Sequence, residues 1–185
     1  MSEPSWVPES VASTIEENWL FRLRRERFRS LASGRSHEYY VIELADAVNI
    51  IAVTPDRRVL LVRQFRGGSG RDSLETPGGL VEPGEDPLVG AARELLEETG
   101  HAGDPPQSLG TVWSNPSLLT SRMTTVLIEN ACPVGATAFD DHEELTIEFV
   151  PESEILAMIG DGRIDHALVV LGLFSWIVRR EGRGG

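Results

Sequence analysis

Apolar residues recur along this chain in two rhythms, and the change from one to the other marks out its elements. From His37 to Thr54 and from Val59 to Phe65 the sequence is rich in β-branched and aromatic residues, with Thr54-Pro55-Asp56 as a turn between the runs, which predicts strands. Shorter runs at Ser73–Thr76, Ser108–Trp113, Met123–Glu129 and Leu145–Val150 predict further strands. Between Pro87 and Thr99 the spacing becomes helical: at about 100° per residue, Leu88, Val89, Ala91, Ala92, Leu95 and Leu96 fill one broad apolar face. Asp86 supplies an N-cap acceptor, Pro87 suits the first helical position, and Gly100 offers a left-handed exit. A short helix over Pro151–Ile159 and a longer one over Asp165–Arg180 complete the pattern. Strands flank the helices without regular βαβ alternation, so an α/β fold with a mixed sheet between helices is predicted. Residues 1–18, polar with two prolines, read as a loose arm or a short helix.

Composition narrows this picture. A chain of 185 residues with 41% hydrophobic content can bury one real core. A net charge of −12 argues against a general nucleic-acid backbone binder, so a polyanionic ligand would need a local metal or arginine site. The single cysteine, Cys132, cannot form an internal disulfide and reads as a small buried hydrophobe. The first thirty residues carry Glu and Arg throughout, unlike a signal peptide, and a cytoplasmic location is expected. The apolar stretch Ala167–Val178 is too short to span a bilayer and reads as a buried helix, so no membrane partner is expected.

The helix at Pro87–Thr99 carries the candidate chemistry. Glu94, Glu97 and Glu98 form an acidic arc beside its apolar face, and Glu94 and Glu98 are like charges one turn apart, an arrangement that disfavours a bare helix. A hard divalent cation such as Mg²⁺ would compensate them, because it takes carboxylate and backbone oxygens and shares its remaining positions with waters and substrate phosphates. Arg93, four residues before Glu97, is placed to steady that carboxylate, and Glu85 stands at the helix entrance.

Written out, Gly79, five residues, Glu85, seven residues and then Arg93-Glu94-Leu95-Leu96-Glu97-Glu98-Thr99-Gly100 resembles the Nudix box of the Nudix hydrolases. One departure is His101, where the family usually carries an aliphatic residue in the packing part of the box. The flanks Arg63-Gln64-Phe65-Arg66-Gly67 and Leu74-Glu75-Thr76-Pro77-Gly78-Gly79, with Pro116 sixteen residues beyond Gly100, look like the ADP-ribose pyrophosphatase and nucleoside diphosphate-sugar hydrolase branch. The resemblance implies a Nudix-type α/β/α sandwich over residues 45–185, with residues 1–44 as an arm and strands that pair two copies into a homodimer.

It also implies Mg²⁺ as cofactor, with Mn²⁺ a possible substitute, and a nucleoside diphosphate linked to a sugar as substrate. The implied metal ligands are Glu94, Glu98, Glu97, the carbonyl of Gly78, and Glu85 directly or behind them; Gly79, Arg93 and Gly100 are the structural positions of the box. The catalytic base is expected in Asp140-Asp141-His142-Glu143-Glu144, ahead of the last core strand, with Glu143 first and Glu144 and Asp141 behind it. Arg66 is a candidate for substrate phosphates. Glu75 either bonds a ribose hydroxyl or pairs with Arg66. Trp19, Phe28, Tyr39 and Tyr40 are candidate platforms for the base, with packing as the alternative role. The arginines from Arg22 to Arg29 either meet phosphate or a partner's acidic surface, or form a solvated strand face.

Two other classes are distinguishable. A Nudix hydrolase of oxidised nucleoside triphosphates or of cap-like substrates would keep the box; cap hydrolysis would favour a basic RNA path, absent here outside the N-terminal arginines. A non-catalytic nucleotide-sensing module would be expected to lose box glutamates, and all are present.

Overall fold

The computed structural model describes residues 4–137 and 144–182. It divides into two compact units, one formed by the chain up to Ala45 with Trp113–Arg122, the other by Asp46–Val112 with the chain from Met123 onward.

The first unit is a sheet built on one long strand. Strands β1 (Trp6–Pro8) and β2 (Ser13–Glu17) pair antiparallel along one edge of β3 (Arg22–Ser30), and β4 (Ser36–Glu43) pairs antiparallel along the other. The arm expected to be loose or helical before Asn18 therefore contributes two strands. They are too short and too exposed to show an alternation in sequence, and their partner is the backbone edge of β3. Asn18 turns the chain into β3 by accepting from the backbone N–H groups of Leu20 and Phe21 at 2.9 and 3.0 Å. The arginines of β3 are answered inside the unit: Arg22 meets Glu17 at 2.7 Å, Arg24 meets Glu43 at 2.8 Å, and Arg27 meets Glu9 at 3.2 Å. The segment Trp113–Arg122 attaches through Ile42, whose N–H donates to Leu118 O and whose carbonyl accepts from Thr120 N.

The second unit is a sandwich. Its strands are β5 (Ala47–Val53), β6 (Arg58–Arg66), β7 (Arg71–Glu75), β8 (His101–Ala102), β9 (Gln107–Trp113), β10 (Arg122–Ile128), β11 (Cys132–Pro133) and β12 (Leu145–Pro151). Its helices are α1 (Pro87–Thr99), α2 (Ile155–Gly160) and α3 (Ala167–Glu181). The main sheet runs β12-β6-β5-β10-β9, with β7 also beside β6. The β5–β10 pair is parallel, whereas β6 is antiparallel to β5, β7 and β12, so the sheet is mixed.

Alternation along β5 decides which helix lies on which face. Val48, Ile50 and Ala52 pack with Ala91 and Leu95 of α1, while Ile51 and Val53 pack with Ile155, Leu173 and Trp176 of α2 and α3. Burying both faces explains why β5 reads as an apolar run interrupted only at Asn49. The short β8–β11 pair follows α1 and places Cys132 in an exposed position, so this cysteine is not the buried hydrophobe expected from its type.

Candidate active site

Helix α1 begins and ends where its caps dictate. The Asp86 carboxylate accepts from Leu88 N at 2.8 Å, Pro87 occupies the first turn, and Gly100, at φ 67°, donates its N–H to Leu96 O. Its buried stripe differs from the apolar face read in sequence. Ala91, Leu95 and Glu98 point inward, whereas Val89 and Leu96 are 60% and 42% exposed. The reason is polar. The buried Glu98 carboxylate accepts the backbone N–H of Gly78 at 3.0 Å, and this bond draws the acidic border of the helix inward.

Gly78 and Gly79 lie in the segment that leaves β7, and β5 grips that segment edge-on. Val48 N donates to Gly79 O at 2.9 Å and Ile50 N to Pro77 O at 2.8 Å. A Cβ on Gly79 would stand 2.3 Å from the Glu94 carboxyl carbon, and one on Gly78 would stand 2.2 Å from the Val48 carbonyl oxygen. Both positions need glycine for close approach rather than for an unusual φ.

Arg93 organises the acids around it. Its guanidinium donates to both Glu85 oxygens at 3.0 Å, to Glu94 at 2.8 Å, to Glu97 at 3.0 Å and to the Leu80 carbonyl at 3.1 Å. Those partners raise the arginine's pKa above its already high ordinary value, and the paired donation holds the Glu85 carboxyl below the usual glutamate range. Gly90, which the sequence reading passed over, admits this arrangement: a Cβ there would meet a Glu85 oxygen at 2.9 Å. A glycine inside an otherwise well-formed helix was the available signal.

No three His, Cys, Asp or Glu side chains among the described residues converge into a metal cluster, and the Arg93 guanidinium bridges the carboxylates of Glu85, Glu94 and Glu97. The donor set nevertheless fits a hard divalent cation: Glu94, Glu97 and Glu98 offer carboxylate oxygens within one turn of α1, and the backbone at Gly79 comes right up to Glu94.

On the same unit, Arg66 forks onto Glu75 at 3.0 and 2.8 Å. Burial pushes the Glu75 carboxyl upward, but Arg66, with His166 and Ser73 beside it, outweighs burial and leaves the group below its ordinary range. Of the two roles considered for Glu75, the structure displays the pairing. His101, the departure from the box, is buried, its Nδ1 2.7 Å from Thr99 O and its ring against Phe149. Glu144 is exposed immediately before β12, and Asp141 and Glu143 lie outside the described residues. A hollow of about 300 Å³ lined in part by Arg63, Arg71, Glu148 and Asp165 contains none of the box residues.

The remaining candidates belong to the first unit. Phe28 is half-buried, edge-on to Tyr39 at 5.5 Å; Tyr39 also meets His37 and Trp6, so both rings pack within the sheet. Trp19 is 90% exposed and Tyr40 half-exposed. Pro116 sits in a turn in which Asn115 Oδ1 accepts from the hydroxyl and N–H of Ser117.

Residues 43–170 match the family model described as NUDIX domain. A methanol dehydrogenase activator of Bacillus methanolicus is 29% identical over 149 residues, which are 77% of this chain and 78% of that protein. An ADP-ribose pyrophosphatase of Mycobacterium tuberculosis is 28% identical over 170 residues, 90% of this chain and 82% of that protein. The fold is also that of a solved ADP compounds hydrolase, with a TM-score of 0.86 over 100% of this chain and 98% of that one at 24% identity.

Proposed function

This chain belongs to the Nudix family, and from that premise we propose that it hydrolyses the pyrophosphate bond of ADP-ribose or a related nucleoside diphosphate sugar. Water's oxygen joins one phosphorus, the bridging P–O bond breaks, and a nucleoside monophosphate and a sugar phosphate leave. The observation that carries the catalytic part is the buried Glu98 held by Gly78 N–H beside the Arg93-ordered glutamates. Support for the substrate class comes from the mycobacterial ADP-ribose pyrophosphatase, similar over nine-tenths of the chain.

Glu94, Glu97, Glu98 and the Gly78 carbonyl would hold Mg²⁺, or Mn²⁺ in its place, with Glu85 behind them. When bound, such a cation neutralises pyrophosphate oxygens and lowers the pKa of water. Arg93 remains cationic across the neutral range and fixes the rotamers of Glu94 and Glu97, while its fork keeps Glu85 ionised. Arg66 presents a guanidinium on a buried carboxylate, a rigid donor for a phosphate oxygen. Glu143 is the proposed base, with Glu144 and Asp141 as the other acids of that loop. Trp19 and Pro116 are proposed to contact substrate, while Phe28 packs on Tyr39.

The protein is proposed to be a cytoplasmic homodimer joined through its first unit, where Val11, Ile15, Trp19 and Leu20 are exposed. Among the described residues, no helix is long and apolar enough to cross a membrane.

A substrate panel tests the reading: ADP-ribose, GDP-mannose, UDP- and ADP-sugars, dinucleoside polyphosphates and oxidised deoxynucleoside triphosphates, each with Mg²⁺ and with Mn²⁺. Diphosphate sugars should turn over fastest; triphosphates turning over far faster would overturn it.

A further inference from the structure

Asn49 is a polar residue at a position where the pattern of β5 calls for an apolar one. It faces the α2–α3 side with Ile51 and Val53, and it is 4% exposed. A buried amide costs free energy unless both its ends are bonded. Both are. Its Nδ2 donates to the Leu168 carbonyl in the first turn of α3 at 2.8 Å, and its Oδ1 accepts the hydroxyl of buried Thr76. Helix α3 leaves room for the amide through Gly172, where a Cβ would stand 2.4 Å from Asn49 Nδ2.

Three consecutive residues of β5 thus hold three residues of the loop, Thr76, Pro77 and Gly79. Val48 N–H binds Gly79 O, Ile50 N–H binds Pro77 O, and the Asn49 side chain takes Thr76 from the other face of the sheet. Gly78, between the two backbone bonds, donates to Glu98. The Asn49 side chain thus links the start of this loop to the first turn of α3.

We propose that Asn49 and Thr76 are positioning residues for the catalytic loop, registering Gly78 and Gly79 against Glu98 and Glu94 without touching substrate. The consequence for catalysis rests on the proposed hydrolase reading; the positioning itself does not. Removing the hydroxyl lets the loop shift while leaving its β-branched shape in place, so Thr76→Val is the informative variant and Thr76→Ser the rescue. An amide placed to orient a group one step from the chemistry costs about tenfold or more when lost.

The experiment measures amide hydrogen exchange at Val48, Ile50 and Gly78 together with kcat, KM and global stability, for the wild type, Thr76→Val and Thr76→Ser. Thr76→Val should exchange about tenfold faster at those three amides than at the rest of β5. On the best diphosphate-sugar substrate its kcat should fall about tenfold with KM little changed, and Thr76→Ser should restore both readouts. Unchanged exchange at the three amides, or a loss of protection spread evenly over the sheet, would overturn the positioning role. Local exchange that accelerates in a protein inactive on every diphosphate sugar would keep the positioning role and reject the hydrolase reading instead. Asn49→Asp, which keeps the acceptor for Thr76 but gives up the donor to Leu168, should show the same local signature; exchange like the wild type's would count against the anchor in α3.

Discussion

Gly79 and Glu94 are so close that a single methyl group would divide them: a Cβ on the glycine would stand 2.3 Å from the glutamate's carboxyl carbon and 2.4 Å from one of its oxygens. The atom in the way is the far end of a flexible side chain. Gly79→Ala is therefore expected to displace the Glu94 carboxylate at little cost to the fold. Activity should drop at least about tenfold with the melting temperature nearly unchanged. In Gly78→Ala the new carbon meets the Val48 backbone carbonyl instead, and about 1–3 kcal/mol of stability should go as well. Steady-state kinetics with urea titration on the two variants separates the effects, and equal stability losses would contradict this account of the loop.

Glu98→Gln keeps an oxygen for Gly78 N–H and removes the charge. The rate should fall at least about a hundredfold, as a loss on the order of 3 kcal/mol of charge stabilisation implies. Near wild-type turnover, measured with saturating Mg²⁺, would take Glu98 out of the proposed metal site.

Arg66→Ala leaves Glu75 buried without its guanidinium. About 2 kcal/mol of stability should be lost at pH 7, below the largest losses seen for buried pairs because Arg66 is itself 45% exposed. The pH dependence has a definite sign. In the wild type the Glu75 carboxyl lies below its ordinary value, so the pair's contribution is full above the unfolded carboxyl range and is lost as pH falls through the lowered folded value. In the variant, only Ser73 and His166 still favour the charged form, so burial weighs more heavily and protonation relieves it. The stability gap between the two proteins should narrow between pH 7 and pH 4; a constant gap in urea titrations at both pH values would refute the assignment.

Light scattering on the full chain should give twice the monomer mass at micromolar concentration. Deleting residues 1–36 would remove β1, β2 and β3 entirely, so the finer probe is Ile15→Glu with Trp19→Glu, two exposed apolar positions of the first unit. That double variant should become monomeric and bind substrate more weakly. A wild-type protein that is already monomeric would exclude the homodimer.

Helix α1 was legible to the residue because its limits are written locally, in Asp86, Pro87 and Gly100. The sheet of the second unit was legible because burial on both faces leaves apolar runs such as Ile50–Val53 and Val59–Val62. What escaped was decided by distant partners. Strands β1 and β2 exist because β3 offers them an edge, and Ser13–Glu17 by itself shows no apolar face. Glu98 outcompetes Val89 and Leu96 for the buried side of α1 because Gly78, twenty residues earlier, donates to it. Asn49 interrupts the apolar pattern of β5, but neither it nor Thr76 names its partner, which lies across 27 residues. Cys132 followed the usual habit of its residue type only until the short β8–β11 pair brought it to the surface.

The five donations of Arg93 also make the acids of the box interdependent. One guanidinium is shared among Glu85, Glu94, Glu97 and the Leu80 carbonyl, so removing any one carboxylate frees donors that the others will recapture in altered positions. The losses measured for Glu85, Glu94 and Glu97 singly will therefore not sum to the loss of all three. Arg93→Ala alone should approach the cost of the multiple variant, because what the cluster supplies is a shared geometry rather than separable contributions.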